Sequence, residues 1–123
     1  MNYSSEYSPP APSLKIKLAR PFSDHSLELQ AKLDTGADMT VIPQRAVSEL
    51  RLIPASRVSV TSFDGQRIWR YTYFVNLSFN GFEYKMVEVI SAQHRDVLLG
   101  RDILNRLKII LDGKNLNFSL FDP

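Results

Sequence analysis

The chain has 123 residues, 44% of them hydrophobic and 23% charged, and its 15 basic and 13 acidic side chains leave a net charge of +2. That length suits one domain with a modest core and is too short for two of ordinary size; the charges are scattered, so neither a nucleic-acid partner nor a membrane surface is indicated. The absence of cysteine excludes a disulfide framework, a thiolate metal site and a cysteine nucleophile.

Taken in chain order, residues 1–13 (MNYSSEYSPPAPS) are polar and proline-rich, a composition that buries too little apolar surface to offset ordering entropy. They are expected to form a flexible leader to a single domain over 14–123. Alternation then begins at Leu14, Ile16 and Leu18 and resumes at Leu27, Leu29, Ala31 and Leu33, which reads as a strand pair. Gln44 to Leu50 is a short helix candidate. Asp64-Gly65 and Asn80-Gly81 are tight-hairpin signals between strand-like runs. Tyr71, Tyr73, Val75, Leu77 and Phe79 alternate cleanly, whereas Phe82, Tyr84 and Met86 give way to Val87 and Val89 on the other parity. A bulge near Met86 accounts for that slip.

Ile103, Leu104 and Leu107 have the spacing of a second short helix, and Asp112-Gly113-Lys114-Asn115 is a turn before a closing strand, Leu116 to Phe121. The fold class expected is all-β, a small closed barrel or sandwich with one or two short helices. No run approaches the roughly 20 apolar residues of a spanning helix, and a signal-peptide pattern is missing. A cytoplasmic location is the default.

Chemistry concentrates in Ala31-Lys32-Leu33-Asp34-Thr35-Gly36-Ala37-Asp38-Met39-Thr40-Val41-Ile42-Pro43. A carboxylate, a hydroxyl and a glycine follow directly on an apolar strand, so the carboxylate stands where the chain leaves the sheet and the glycine admits a close backbone approach. Alone, Asp-Thr-Gly could be an Asx turn in which Asp34 bonds only its own backbone. The wider run, however, resembles the active-site loop of retropepsins, the single-domain relatives of pepsin. The likeness covers Leu33 to Val41 and extends to Val97-Leu98-Leu99-Gly100-Arg101-Asp102-Ile103-Leu104, about 65 residues later, where the family has apolar residues, a glycine and a short helix beneath the loop.

That resemblance implies a homodimeric aspartic endopeptidase acting on extended polypeptide, without metal or other cofactor. It makes Asp34 the catalytic carboxylate. Thr35 would direct its hydroxyl into a network across the dimer axis, and Gly36 would offer its carbonyl to substrate. Asp38 would bind substrate main chain and pair with Arg101, which with Gly100 supports the loop. Val41, Leu98 and a flap around Phe63, Asp64 and Gly65 would line the pockets, with Arg95 and Asp96 near the rim. Ser62-Phe63-Asp64-Gly65-Gln66 has fewer glycines than many retropepsin flaps, a departure that bears on its motion and its main-chain contacts. The closing strand would contribute to dimerisation.

Two other readings compete. One is a catalytically weak retropepsin-like module that dimerises or binds peptide; the other is a phosphate-binding Asp-Xaa-Gly turn, which needs two large α/β lobes that this short, β-rich chain lacks. His25 and His94 have no metal-ligand spacing.

Overall fold

Strand β1 (Ser13–Ala19) buries Leu14, Ile16 and Leu18 and leaves Lys15 and Lys17 in solvent. Its antiparallel partner β2 (Ser26–Leu33) buries Leu29, Ala31 and Leu33 on the same side, with Ile16 opposite Leu29 and Leu14 opposite Ala31. Each such aliphatic side chain removed from water contributes about 1.5–3 kcal/mol; the period-two pattern is what holds register, since a slip of one residue would expose the whole set. The computed structural model describes residues 1–62 and 64–122. Phe63, one of the expected substrate contacts, lies outside the described residues.

The remaining elements are β3 (Val41–Pro43), α1 (Gln44–Glu49), β4 (Ser56–Thr61), β5 (Arg67–Phe79), β6 (Phe82–Ala92), β7 (Val97–Leu99), α2 (Arg101–Leu104), β8 (Lys108–Asp112) and β9 (Asn117–Phe121). One sheet runs β1-β2-β7-β3-β6-β5-β4, and a further β1–β5 pairing closes its first six strands on themselves. This is the all-β closed barrel expected, with two short helices. Closure removes the exposed edges that an open sheet of this size would carry. Ile16, Leu18, Val75, Leu77, Val89 and Leu99 fill the interior. None of the described helices is long and apolar enough to cross a membrane.

Local sequence explains the two irregularities of the β5–β6 hairpin. Asn80 and Gly81 both have positive φ, 48° and 82°, the conformation a two-residue loop needs to match strand twist. Farther along, Val75 faces Val87 but Leu77 faces Tyr84, so Lys85 and Met86 together oppose Asn76. Met86 sits at φ 54° and its N–H donates to the side-chain oxygen of Asn76 at 2.9 Å. The bulge therefore lies at Met86, as the change of parity suggests, and it lets Tyr84 and Val87 both face the core.

Of residues 1–13, expected above to form a leader, the first three are laid along β9 of the C-terminal hairpin, Ser4 bridges to Ala11, and Ser13 opens β1. Met1 and Phe118 exchange backbone hydrogen bonds of 2.8 Å, and the Tyr3 N–H donates to the Leu116 carbonyl at 2.8 Å. The Tyr3 ring packs on Phe118 with centroids 6.1 Å apart. Apolar content measures none of this, because backbone pairing to a waiting strand edge needs no particular side chains.

Candidate active site

The segment carrying Asp34 leaves the barrel at the end of β2 and returns as β3, and β7 threads between these two strands. Ala31, Lys32 and Leu33 lie parallel to Val97, Leu98 and Leu99, and Val41 faces Leu98 across the other side. The loop is thus a bridge over β7, and its fastenings come from the strand beneath. The Asp34 N–H donates to the Leu99 carbonyl at 2.9 Å, and the Arg101 N–H to the Ala37 carbonyl at 2.8 Å.

Within the loop, Asp34 Oδ1 accepts the Gly36 N–H at 3.0 Å, and the Ala37 N–H donates to the Asp34 carbonyl at 3.2 Å. The Asx-turn bond therefore exists, and it aims a half-buried carboxylate while Thr35 and Gly36 stand exposed beside it. Arg101 clamps the far side: its guanidinium bonds the Asp38 carboxylate and, at 2.6 Å, the Thr35 carbonyl. Arginine suits this task because one planar fork reaches two acceptors.

A second fastening involves residues to which the sequence assigned no role. Thr40 is fully buried, and its N–H and hydroxyl donate to the two oxygens of Asp102 at 3.0 and 2.8 Å. Its hydroxyl also accepts the Gly100 N–H at 3.1 Å, and Asp102 in addition accepts the Ile103 N–H at 2.9 Å. The signal was present in Gly100-Arg101-Asp102, but only proximity tells which of its charged residues faces the loop interior.

Gly100 has no room for a side chain. A Cβ there would lie 2.7 Å from the Met39 carbonyl carbon and oxygen and 3.0 Å from the Ala37 oxygen, all backbone atoms. Gly100→Ala is expected to cost about 1–3 kcal/mol, the range for overpacking, by forcing loop and strand apart. A urea midpoint lowered by less than the measurement error would contradict this.

Beside the loop lies a cleft of about 560 Å³, walled on one side by Gly36, Ala37, Asp38, Met39 and Val41 and on the other by the β4–β5 hairpin, with Ile90 at the base. The hairpin contributes Val58, Ser59, Val60, Thr61 and Arg67. Beyond Thr72, β5 leaves the barrel, and Ile68, Trp69 and Tyr71 are exposed on this projecting arm. Gly36, Asp38 and Val41 are thus brought together in one cleft, whereas Asp34 and Thr35, next to Gly36 in the loop, and Leu98, Asp64 and Gly65 are not part of its wall. Asp64 and Gly65 form the turn at the arm's tip. Gly65 has φ 84°, and Asp64 accepts the Ser62 hydroxyl and the Gln66 N–H. The Ser62 hydroxyl, then the Gln66 N–H, hold the Asp64 carboxyl below the usual carboxylate range. Arg67 and Ile90 carry no signal of this role in the sequence, since strand alternation alone does not tell a cleft wall from a solvent face.

On the loop before β7, Asp96 bonds the Tyr7 hydroxyl, and Arg95 Nη2 stands 3.2 Å from the same carboxylate. Lys32 Nζ lies 5.1 Å over the Tyr7 ring. Burial works to raise the Asp96 pKa, but the Tyr7 hydroxyl and Arg95 outweigh it and the net direction is down; burial, then Asp96, push the Tyr7 phenol up. The signs define a window. The Asp96 contribution is lost as pH falls through its depressed pKa, and the Tyr7 contribution as pH rises through its raised one.

A closed β-barrel whose Asp-Thr-Gly loop bridges a C-terminal strand, with a glycine and a short helix beneath, is the fold of retropepsin-type aspartic proteases. Comparison with known proteins agrees. Residues 23–106 match the family model described as "gag-polyprotein putative aspartyl protease". The chain belongs to that family. Among solved structures it is similar to the EIAV protease complexed with the inhibitor HBY-793, at 21% identity and a TM-score of 0.60 over 85% of this chain and 92% of that one. It is likewise similar to the simian foamy virus (mac) protease, at 16% identity and a TM-score of 0.53 over 75% and 92% of the two chains. A third likeness is to a foamy viral protease-reverse transcriptase in complex with an RNA/DNA hybrid, at 20% identity and a TM-score of 0.57 over 77% of this chain and 12% of that one. A search of curated proteins by sequence returned no match.

Proposed function

We propose that the chain is half of a homodimeric aspartic endopeptidase, in which Asp34 of two copies meet and activate a water molecule between them. The observation that carries the proposal is the single Asp34 carboxylate, presented by a loop tied down through Leu99, Arg101 and Asp102 and bordering a peptide-sized cleft. Hydrolysis by acid–base chemistry needs one group to take a proton from water and another to give one to the peptide carbonyl. Like carboxylates placed within about 3 Å share one proton, the behaviour for which aspartic proteases are the standard example. Two-fold pairing therefore makes acid and base from one residue type, and isologous dimers are the commonest assemblies.

Thr35 and Gly36 stand beside the carboxylate to join the loops and meet the substrate backbone. Asp38 and Val41 line the cleft, and Leu98 would complete an apolar pocket next to the scissile bond. The projecting arm, including Asp64 and Gly65, serves as the flap that closes over an extended peptide and excludes water. Arg67 gives the cleft a cationic rim. Gly100 and Arg101 act as supports of the loop.

Digestion of a peptide library tests the reading, with specific activity followed on dilution. Cleavage beside apolar residues, with activity per chain falling as the dimer dissociates, is the expected result. A monomer that cleaves at full rate would refute the paired mechanism, and a stable dimer that binds peptides without cleaving them would leave only a binding module.

A further inference from the structure

We infer that Arg67 sets the substrate class: the peptide taken by this cleft carries an acidic side chain, Asp or Glu, at one position on each side of an apolar scissile pair. The inference rests on the dimeric protease reading above and names the substrate of that same site. It follows from which charges around the cleft already have partners.

Two of the residues that wall the cleft are charged, Asp38 on the loop and Arg67 on the arm. Asp38 is neutralised from behind, since the Arg101 guanidinium bonds its carboxylate as well as the Thr35 carbonyl. Arg67 has no such counterpart, and among the described residues it forms no ion pair. The nearest carboxylate along the chain, Asp64, is engaged inside its own turn, where it accepts the Ser62 hydroxyl and the Gln66 N–H. Arg95, the cation that the family resemblance sets near the rim, is held by Asp96 at 3.2 Å and Glu6 at 3.9 Å. One unmatched positive charge is therefore left facing a wall that is otherwise mostly apolar, with Met39, Val41, Val58, Val60 and Ile90 around it. A carboxylate is the group that such a site takes. Its attraction to the cation grows as water is excluded, and a guanidinium is weakly hydrated and offers two N–H groups in a fork that fits a carboxylate. A lysine or arginine of the peptide would meet a like charge there, so the same residue also rejects basic peptides.

The backbone fixes where that charge stands. Arg67 opens β5 and faces Thr61 of β4, directly behind a tip turn closed by the Ser62 N–H on the Gln66 carbonyl at 2.7 Å and the Gly65 N–H on the Ser62 carbonyl at 3.0 Å. The cation thus moves with the arm and meets the peptide when the arm closes. An extended peptide turns successive side chains to opposite faces, so one can enter the apolar wall while its neighbour meets the arm. Each copy of a two-fold dimer brings its own arm. A single peptide running through the site therefore passes Arg67 on one side of the scissile bond and Arg67 of the partner subunit on the other.

Cleavage of matched peptides tests this, each with the same apolar pair at its centre and with Glu, Gln or Lys scanned along both sides. The quantity read is the kcat/KM of the Glu peptide divided by that of the Lys peptide, a ratio in which any loss of active protein cancels. In the native chain it should exceed about tenfold at one position on each side, the effect of one charge-assisted contact. Arg67→Gln should bring the ratio close to one at those positions, and Arg67→Glu should invert it. Arg70→Glu changes the charge of the arm equally but lies outside the cleft wall, and it should leave the preference for Glu in place. A native ratio near one at every position, a ratio that Arg67→Glu does not change, or the same inversion by Arg70→Glu would each overturn the assignment while leaving the protease standing. If the native chain cleaves none of the peptides, the protease reading fails, and fluorescence anisotropy of the same peptides, labelled, decides this one separately. Tighter binding of the Glu peptide that is lost in Arg67→Gln would support the acidic ligand, and equal binding of the Glu and Lys peptides would overturn it too.

Discussion

Asp34→Asn should lower peptide cleavage by at least about a thousandfold, within the range that general acid–base catalysis contributes, while the urea midpoint hardly moves. The expectation of an intact fold comes from geometry. Asp34 is half-buried, and among the described residues its carboxylate accepts one hydrogen bond, from the Gly36 N–H at 3.0 Å. An asparagine Oδ1 can accept that same bond, so the turn survives and the lost quantity is the proton that a pair of carboxylates shares. A further measurement sharpens the test: excess variant mixed with native chain should suppress cleavage through mixed dimers that hold one carboxylate. Undiminished cleavage by the purified variant would remove Asp34 from the chemistry altogether.

Asp102→Ala should have the largest effect on stability, about 3 kcal/mol. The carboxylate accepts the N–H and hydroxyl of fully buried Thr40 and the N–H of Ile103, and a buried donor left without a partner costs about 1–3 kcal/mol. Asp102→Asn keeps one acceptor oxygen and should lose less. Activity should fall with stability in both variants, since Thr40 closes the loop that begins at Asp34. An Ala variant as resistant to urea as the native chain would show that the contact contributes nothing. Arg101→Lys makes a useful contrast, because its partners Asp38 and the Thr35 carbonyl are reached from an exposed position where ion pairs contribute little to stability.

The parts of the fold governed by neighbours along the chain are legible in the residues themselves. Asn80-Gly81 is a two-residue turn because both residues tolerate positive φ. The change of parity at Met86 is a bulge because core-facing side chains must stay inside. The Asp-Thr-Gly run and the Gly100-Arg101 pair are legible as motifs, and the fold brings them into contact, with Arg101 on Asp38. What depends on distant partners is not legible. Thr40 reads as one more strand threonine until Asp102 is beside it, and Arg67 as a surface charge until its hairpin faces Met39 across the cleft. The course of residues 1–3 belongs to the same class. Their polar composition describes what they cannot bury, while their position is set by the open edge of β9.

Bonds that hold the Asp34 loop to the barrel reach it from Leu99, Arg101 and Asp102, all of them synthesised after it. During translation the Asp-Thr-Gly segment is therefore complete as sequence long before anything can hold it as a site. Contacts of such separation form late in folding, because the intervening chain must first be closed into a loop. On the function proposed above, a chain cut short before Leu99 exposes the aspartate without the floor that aims it, and it is expected to be inactive.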